Sequence, residues 1–211
     1  MLLPIRFPDQ GLYVITRDET LERDSLLRAV NSAIRGGAAV IQYRVKHPTN
    51  AIEETTALLR LCRRASIPFI INDNVALAEA VGADGVHLGR EDGSIVSAKK
   101  RLGPNAIVGI SCYDDIQRAE QAVAMGASYV AFGRFFPSST KPQAPCAHLQ
   151  TLEMARERIN VPVVAIGGIT LANAPELLSA GADLLAVIEG VFGEDNPESA
   201  ASEFRSLWGG A

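Results

Sequence analysis

The chain has 211 residues, of which 47% are hydrophobic and 21% are charged, with a net charge of −4. These values are typical of a soluble globular protein, and the acidic balance argues against nucleic acid or an acidic membrane surface as the main partner. No apolar stretch reaches the roughly 20 residues of a membrane-spanning helix, and the N-terminus lacks the pattern of a signal peptide.

Length and cysteine content predict one cytoplasmic domain. A chain of 211 residues suits a single domain over 1–211 and is long enough to bury a full core. Its three cysteines, Cys62, Cys112 and Cys146, are odd in number, widely spaced and in no CxxC pair. This usage is typical of a reducing cytoplasm, and it makes a disulfide framework or a structural zinc site a poor explanation.

Short apolar runs rich in Val, Ile and Tyr recur along the whole chain and predict eight strands. They are apolar on both faces, as parallel strands covered by helices are. The predicted strands are 12–16, 39–44, 69–73, 85–89, 107–111, 129–133, 163–168 and 184–190.

Stretches with helical spacing of apolar residues separate these strands. Several end at glycines that can close a helix in the left-handed conformation, at Gly36-Gly37, Gly126 and Gly181. The pair Gly-Ala recurs just before strands, at positions 37, 82, 126 and 181. This rhythm of one helix, one glycine and one strand is an internal repeat.

Eight strand and helix pairs in about 210 residues predict a compact (β/α)8 TIM barrel. An open doubly wound sheet is the alternative, although no Gly-x-Gly-x-x-Gly follows the first strand. The longest irregular segment, residues 134–149, holds three prolines and follows the sixth strand. A loop of this length in a compact domain is usually an active-site loop or disordered.

Two neighbouring strands end in acids. Asp73 follows the third strand and Asp92 the fourth, so both can reach one point above the barrel. Two converging carboxylates repel each other unless a cation lies between them, and Mg²⁺ held by one or two carboxylates with substrate phosphate fits. For Asp92 alone, capping of the following helix is an equally good explanation.

Two anion sites are predicted at other strand ends. Alternation along the second strand puts Gln42, Arg44 and Lys46 on one side, which suits phosphate recognition. The loops after strands seven and eight, with Gly167-Gly168 in the first, form the recurrent backbone phosphate pocket of this fold. The segment "PSSTKP" adds hydroxyls beside Lys141.

These motifs carry a family resemblance. "LYVIT", "QYRVK", "IINDN", "GVHLGRED", "GISCY", "GRFFPSSTKP" and "AIGGIT" occur in the order and spacing of thiamine-phosphate synthase, across essentially the whole chain. The resemblance implies a transferase of thiamine biosynthesis. It would join 4-amino-5-hydroxymethyl-2-methylpyrimidine diphosphate to a methyl-(phosphooxyethyl)thiazole, giving thiamine phosphate and diphosphate by a dissociative, Mg²⁺-assisted mechanism.

The resemblance also implies a role for each matching residue. Mg²⁺ falls on Asp73 and Asp92. The catalytic cations that stabilise the leaving diphosphate are Arg44, Lys46 and Lys141. The pyrimidine and its diphosphate fall on Gln42, Arg44, Lys46, Asn72, Ser111 and Lys141, the loop hydroxyls on Ser138 and Thr140, and the thiazole phosphate on Gly168 and the backbone around Ile188 and Glu189. The implied partners are these small molecules, with no nucleic acid and no membrane, and a homo-oligomer stays open.

The chain departs from the usual family pattern at two places. Ser138 stands where Thr is usual, which keeps a hydroxyl, and Ile188-Glu189-Gly190 replaces a Val-Ser-Ala-like run. His87, in the fourth strand, is expected to pack or to contact the site rather than to act as an acid or base.

Three alternative functions are weighed against this one. A thiazole tautomerase-like enzyme would need no diphosphate site. A sugar-phosphate isomerase or aldolase would need a strand lysine or an acid–base carboxylate pair. A non-catalytic thiamine-phosphate-binding barrel would tolerate loss of the acids.

Overall fold

A computed structural model describes residues 5–17, 23–46, 48, 50–137 and 145–209 of the chain. Its eight parallel strands form a closed barrel in chain order, in which β8 returns to pair with β1. This confirms the predicted (β/α)8 barrel and excludes the open sheet. The strands are β1 Gly11–Ile15, β2 Val40–Tyr43, β3 Phe69–Asn72, β4 Gly85–Leu88, β5 Ile107–Tyr113, β6 Tyr129–Gly133, β7 Val163–Ile166 and β8 Leu184–Val187.

Helices alternate with the strands and cover the barrel. Within the described ranges they are α1 Arg23–Arg35, α2 Ala51–Ala65, α3 Val75–Val81, α4 Ile95–Leu102, α5 Ile116–Ala124, α6 Leu149–Arg158, α7 Ala174–Ala180, α8 Glu189–Phe192 and α9 Pro197–Ser206. None of these helices has the length and apolarity needed to cross a membrane. Gly181 closes α7 with a φ of 119°, as its sequence position predicts.

Each strand contributes to two apolar cores because its alternate residues face opposite sides. Residues such as Leu12, Ile41 and Phe69 join the larger core between the strands and the helices. The smaller core fills the barrel interior with Tyr13, Ile15, Val40, Ile70, Ile107, Tyr129, Ala131, Val164, Leu184 and Ala186. Among the described residues, the interior is therefore packed at one end, and a cavity lies near the carboxyl ends of the strands.

The packed end depends on a large aromatic residue facing a glycine. Tyr129 begins β6 and is fully buried, and Phe7, which precedes β1, stacks on its ring at 4.0 Å between centroids. A Cβ atom on Gly109 of β5 would lie 1.9 Å from Tyr129 Cζ. Gly109 is thus the space that admits the Tyr129 ring.

The Gly-Ala repeat has a structural meaning. The residue after each of three repeats accepts a hydrogen bond from the backbone N–H at or near the start of the preceding strand. Asp84 Oδ2 accepts from Phe69 at 2.9 Å, Ser128 Oγ from Val108 at 3.1 Å and Asp183 Oδ2 from Val163 at 2.8 Å. The remaining repeat, Gly37-Ala38, is followed by Ala39, whose side chain has no hydrogen-bond acceptor.

Six strands, β1, β2, β3, β4, β7 and β8, end one to three residues earlier than the sequence predicts. β2 ends at Tyr43, because the N–H of Arg44 donates to the Thr16 side chain at 2.8 Å instead of continuing the ladder. Arg44 and Lys46 therefore lie beyond the strand, although Arg44 still lines the same cavity as Gln42. β8 ends at Val187, and the N–H of Phe192 bonds to the Ile188 carbonyl in the turn that becomes α8.

Candidate active site

A cavity of about 340 Å³ lies at the carboxyl ends of the strands. Strand side chains form its wall, and the loops after β6, β7 and β8 form its rim. The predicted site residues that line it are Gln42, Arg44, Asn72, Ser111, Gly168, Ile188 and Glu189. Their placement on one cavity is observed, whereas the substrate that each contacts stays a prediction.

A chain of hydrogen bonds crosses the cavity wall from β1 to β3. The Tyr13 hydroxyl donates to Gln42 Oε1 at 2.7 Å, and Gln42 Nε2 donates to Asn72 Oδ1 at 2.7 Å. Asn72 Nδ2 then donates to Asp73 Oδ2 at 2.5 Å. Gln42 is only 3% exposed, and hydrogen bonds hold both ends of its amide.

The same series of hydrogen bonds continues on the opposite side of the barrel. The hydroxyls of Tyr13 and Tyr129 are 2.7 Å apart, and Tyr129 lies 3.0 Å from His87 Nδ1. His87 Nε2 lies 2.9 Å from Ser111 Oγ. His87 thus faces the barrel interior and contacts the site, which is one of the two roles expected from its sequence position.

Burial keeps both tyrosines uncharged. It is the main reason that the pKa of Tyr13 lies well above its usual value, and the neighbouring Tyr129 hydroxyl raises it further. Burial likewise raises the pKa of Tyr129, against a smaller lowering by its hydrogen bond with Tyr13. The two side chains therefore act as neutral hydroxyl groups that position their neighbours.

Asp73 and Asp92 line a second depression between the starts of α3 and α4. Asp73 has a φ of 60°, a left-handed conformation that Asp tolerates better than most residues and that is found at functional sites. Asp92 Oδ2 accepts the Gly89 N–H at 2.8 Å, whereas the N-cap of α4 is Ser94. The capping explanation for Asp92 was therefore wrong.

The two carboxylates fit Mg²⁺ by the chemistry of their donors. Among the described residues, no group of three or more His, Cys, Asp or Glu side chains is placed to hold a metal ion. A pair of carboxylates completed by phosphate oxygens of a substrate is, however, an arrangement that Mg²⁺ commonly takes. Asp73 and Asp92 can supply such a pair.

The loop after β7 packs directly against the segment after β6. The Phe136 N–H donates to the Gly167 carbonyl at 3.0 Å. Gly168 has a φ of 64°, and a Cβ atom there would lie 2.3 Å from the Pro137 carbonyl oxygen. Only glycine fits this approach, which leaves Gly168 as bare backbone on the cavity wall.

Four further predicted residues are not among the described residues that line the cavity or the depression at Asp73 and Asp92. Lys46 is exposed and is not part of the lining. Ser138, Thr140 and Lys141 lie outside the described residues, so their predicted roles are untouched by the structure.

Sequence reasoning missed several residues of the site. Tyr13 and Tyr129 connect the two halves of the hydrogen-bond chain, and Arg17 binds Glu189 at the rim. Arg90 lies over the ring of Tyr113, 5.1 Å from its centroid. A signal for the tyrosines was available, since a buried tyrosine in an apolar strand usually needs a partner for its hydroxyl.

Comparison with known proteins points to one family. The model of a family described as thiamine monophosphate synthase matches residues 12–191. A thiamine-phosphate synthase of Methylococcus capsulatus is 52% identical over 210 residues, which cover 99% of this chain and 92% of that protein. One from Azoarcus sp. is 51% identical over 201 residues, covering 94% and 97%.

A solved structure agrees with these relatives. The thiamine phosphate pyrophosphorylase of Pyrococcus furiosus superposes with a TM-score of 0.84 at 37% identity, covering 94% of this chain and 95% of that one. A 3-hexulose-6-phosphate synthase superposes with a TM-score of 0.70 at 20% identity, over 93% of this chain and 99% of that one. The latter likeness shows the fold alone.

Proposed function

The chain belongs to the thiamine monophosphate synthase family, and on that premise we propose that it makes thiamine phosphate. The substrates are 4-amino-5-hydroxymethyl-2-methylpyrimidine diphosphate and 4-methyl-5-(2-phosphooxyethyl)thiazole, and diphosphate is the second product. The observation that carries the proposal is the single cavity that gathers Gln42, Asn72 and Ser111 on its wall and Gly168 and Glu189 at its rim.

The pyrimidine occupies the deep wall in this proposal. Gln42, Asn72 and Ser111 offer neutral hydrogen-bonding groups there, which suit an uncharged heterocycle. The amide of Gln42 is oriented by Tyr13 and Asn72 before any ligand arrives. A preoriented group binds without an ordering cost.

The diphosphate lies toward the ends of β2, β3 and β4. Arg44 lines the cavity there, and Lys46 and Lys141 follow in the loops after β2 and β6. A bound Mg²⁺ ion, held by Asp73 and Asp92, would neutralise part of the charge of the diphosphate. In this proposal, these three cations would stabilise the negative charge that develops as the diphosphate departs.

The reaction breaks the carbon–oxygen bond to the diphosphate and forms a carbon–nitrogen bond to the thiazole. The aminopyrimidine delocalises the intermediate cation, so the chain needs no general base. His87 supports this reading, because both of its ring nitrogens lie within hydrogen-bonding distance of Tyr129 and Ser111.

The thiazole phosphate lies against the loops after β7 and β8. Gly168 contributes bare backbone on this side, and Ile188 and Glu189 line the same rim. The Glu189 carboxylate is bound by Arg17, which reduces its repulsion of a phosphate.

Small molecules are the proposed partners, and the cytoplasm is the proposed location. The net charge of −4 supports partners other than nucleic acid. Cys62, Cys112 and Cys146 are all free thiols, as they would be in a reducing compartment.

A product assay tests the proposal. The purified chain is mixed with both substrates, with Mg²⁺ or with a chelator, and thiamine phosphate and diphosphate are measured. We expect both products in equal amounts, only with Mg²⁺. Conversion of the thiazole phosphate alone without metal would indicate a tautomerase, and binding of thiamine phosphate without turnover would indicate a non-catalytic barrel.

A further inference from the structure

The hydrogen-bond chain inside the barrel has a direction that a single group decides. The Asp73 carboxylate at its end can only accept hydrogen bonds, so Asn72 must turn its NH₂ group toward Asp73. Asn72 then presents its oxygen to Gln42, and Gln42 must turn its own NH₂ group toward Asn72. The oxygen of Gln42 is left facing Tyr13, which must donate to it.

The same logic passes through the two tyrosines. A tyrosine hydroxyl has one proton, and that of Tyr13 is committed to Gln42. Two hydroxyl oxygens 2.7 Å apart need a proton between them, so Tyr129 donates to Tyr13. Tyr129 has no second proton, and it must therefore accept from His87 Nδ1 at 3.0 Å.

We propose that Tyr13 and Tyr129 are positioning residues that keep a proton on Nδ1 of His87 and, when its imidazole is neutral, make Ser111 present lone pairs to the cavity. When Nδ1 of a neutral imidazole carries the proton, Nε2 can only accept a hydrogen bond. The Ser111 hydroxyl then donates its proton to Nε2, at 2.9 Å. The Ser111 oxygen then faces the cavity as an acceptor, even though a serine hydroxyl alone has no such preference.

This polarity has a consequence for substrate choice, which rests on the proposed function. An acceptor at Ser111 favours a ligand that offers an N–H there, such as the exocyclic amino group of an aminopyrimidine. A pyrimidine with a carbonyl in that place would bring two acceptors together. The tyrosines thus contribute to discrimination from behind the cavity wall.

The proton position can be measured directly. The chain has three histidines, and ¹⁵N-labelled imidazoles report separately on Nδ1 and Nε2, with His87→Gln identifying the signals of His87. We expect His87 to carry its proton on Nδ1. A proton on Nε2 in the unaltered chain would overturn the proposal.

The variant Tyr13→Phe tests whether the tyrosines fix the His87 tautomer, because it frees the Tyr129 hydroxyl to donate its proton to His87 Nδ1. We expect the population with the His87 proton on Nε2 to rise. Tyr43→Phe is the matched control, since Tyr43 is likewise a buried strand tyrosine, on β2, but donates to Glu54 of α2, away from the cavity. An unchanged His87 tautomer in Tyr13→Phe would show that Tyr13 does not control the proton position.

A second variant and a second measurement complete the test. If Tyr13→Phe does not fold, Tyr129→Phe removes the acceptor of His87 Nδ1 and should shift the proton in the same direction. In Tyr13→Phe, the preference in kcat/KM for the 4-amino over the 4-oxo pyrimidine diphosphate should fall by about tenfold, and it should hold in Tyr43→Phe. An unchanged preference despite a shifted proton would refute the substrate consequence. If neither pyrimidine reacts with the unaltered chain, the proposed function fails, and the imidazole signals still decide the polarity.

Discussion

Arg17 binds both carboxylate oxygens of Glu189, with Nε 3.2 Å from Oε1 and Nη2 2.9 Å from Oε2. The third guanidinium nitrogen donates to the Phe192 carbonyl at 3.2 Å. Arg17 follows β1 and Glu189 begins α8, so the pair joins the first and last strands of the barrel at the cavity rim. The positive charge of Arg17 offsets the Glu189 carboxylate, which would otherwise repel a bound phosphate.

Removing Arg17 should therefore weaken thiazole phosphate binding. We expect Arg17→Ala to raise the KM for this substrate about fivefold, the equivalent of about 1 kcal/mol of repulsion in a wet site. The double variant Arg17→Ala with Glu189→Ala should recover most of the loss. Steady-state kinetics with each substrate varied in turn gives both values, and an equal rise in the KM for the pyrimidine diphosphate would contradict this explanation.

Glu189→Ser alone provides a complementary check. This substitution restores a residue of the usual family pattern and leaves the Arg17 cation in place. Turnover should stay nearly unchanged, with the apparent affinity for thiazole phosphate shifting by no more than a few-fold. If activity disappears, Glu189 takes part in catalysis or ligand binding directly.

The metal assignment predicts a large effect at Asp73. Asp73→Asn keeps a side chain that tolerates the φ of 60° at this position, so lost charge is separated from backbone strain. Turnover should fall by about 10²-fold or more, as it does when one preorganised electrostatic group is removed. Glu91→Gln removes a charge from an exposed acid beside Asp92 and serves as the control. Near-normal turnover of Asp73→Asn in the presence of chelator would exclude a metal at this residue.

Lys141 should act on the leaving group. Lys141→Ala removes a cation proposed to face the departing diphosphate, so kcat should fall while the KM for the thiazole phosphate changes little. Single-turnover measurements at saturating substrates separate the chemical step from binding. A change confined to the KM for the thiazole phosphate would indicate that Lys141 acts on that substrate instead.

Gly109 should be intolerant of a side chain. A methyl group there would lie 1.9 Å from the Tyr129 ring, and overpacking of this kind costs about 1–3 kcal/mol. Gly109→Ala should lower the free energy of unfolding by that amount in a denaturant titration. Gly209→Ala, whose nearest neighbour would be 3.8 Å away, should change it by less than about 0.5 kcal/mol. Equal stability of the two variants would show that Tyr129 packs elsewhere.

The sequence predicts the barrel well because each strand is a local feature. A parallel strand buried on both faces is a short apolar run, and the polar residue that ends it marks the face where sites lie. Asn72 and Asp73 at the end of β3 were found in this way. Strand ends were less predictable, since β2 stops where the Arg44 N–H donates to the side chain of Thr16, just after the neighbouring strand β1.

Contacts across the barrel could not be predicted from local patterns. Tyr13 and Tyr129 are 116 residues apart, and Arg17 and Glu189 are 172 apart. Such pairs exist only once the barrel has closed. Glu189 was recognised as a departure from the family pattern, but its partner was not, because nothing near Arg17 in the sequence points to α8.

The bonds made by Asp84, Ser128 and Asp183 bear on how the chain reaches this structure. Each connects a strand with the one immediately before it, across only 15 to 20 residues. Closing so short a loop costs little conformational entropy, and such contacts form early relative to distant ones. Pairing of β1 with β8 instead brings Leu12 to Leu185. Folding would then assemble adjacent strand pairs first, and the slowest step would be the meeting of the two ends of the sheet.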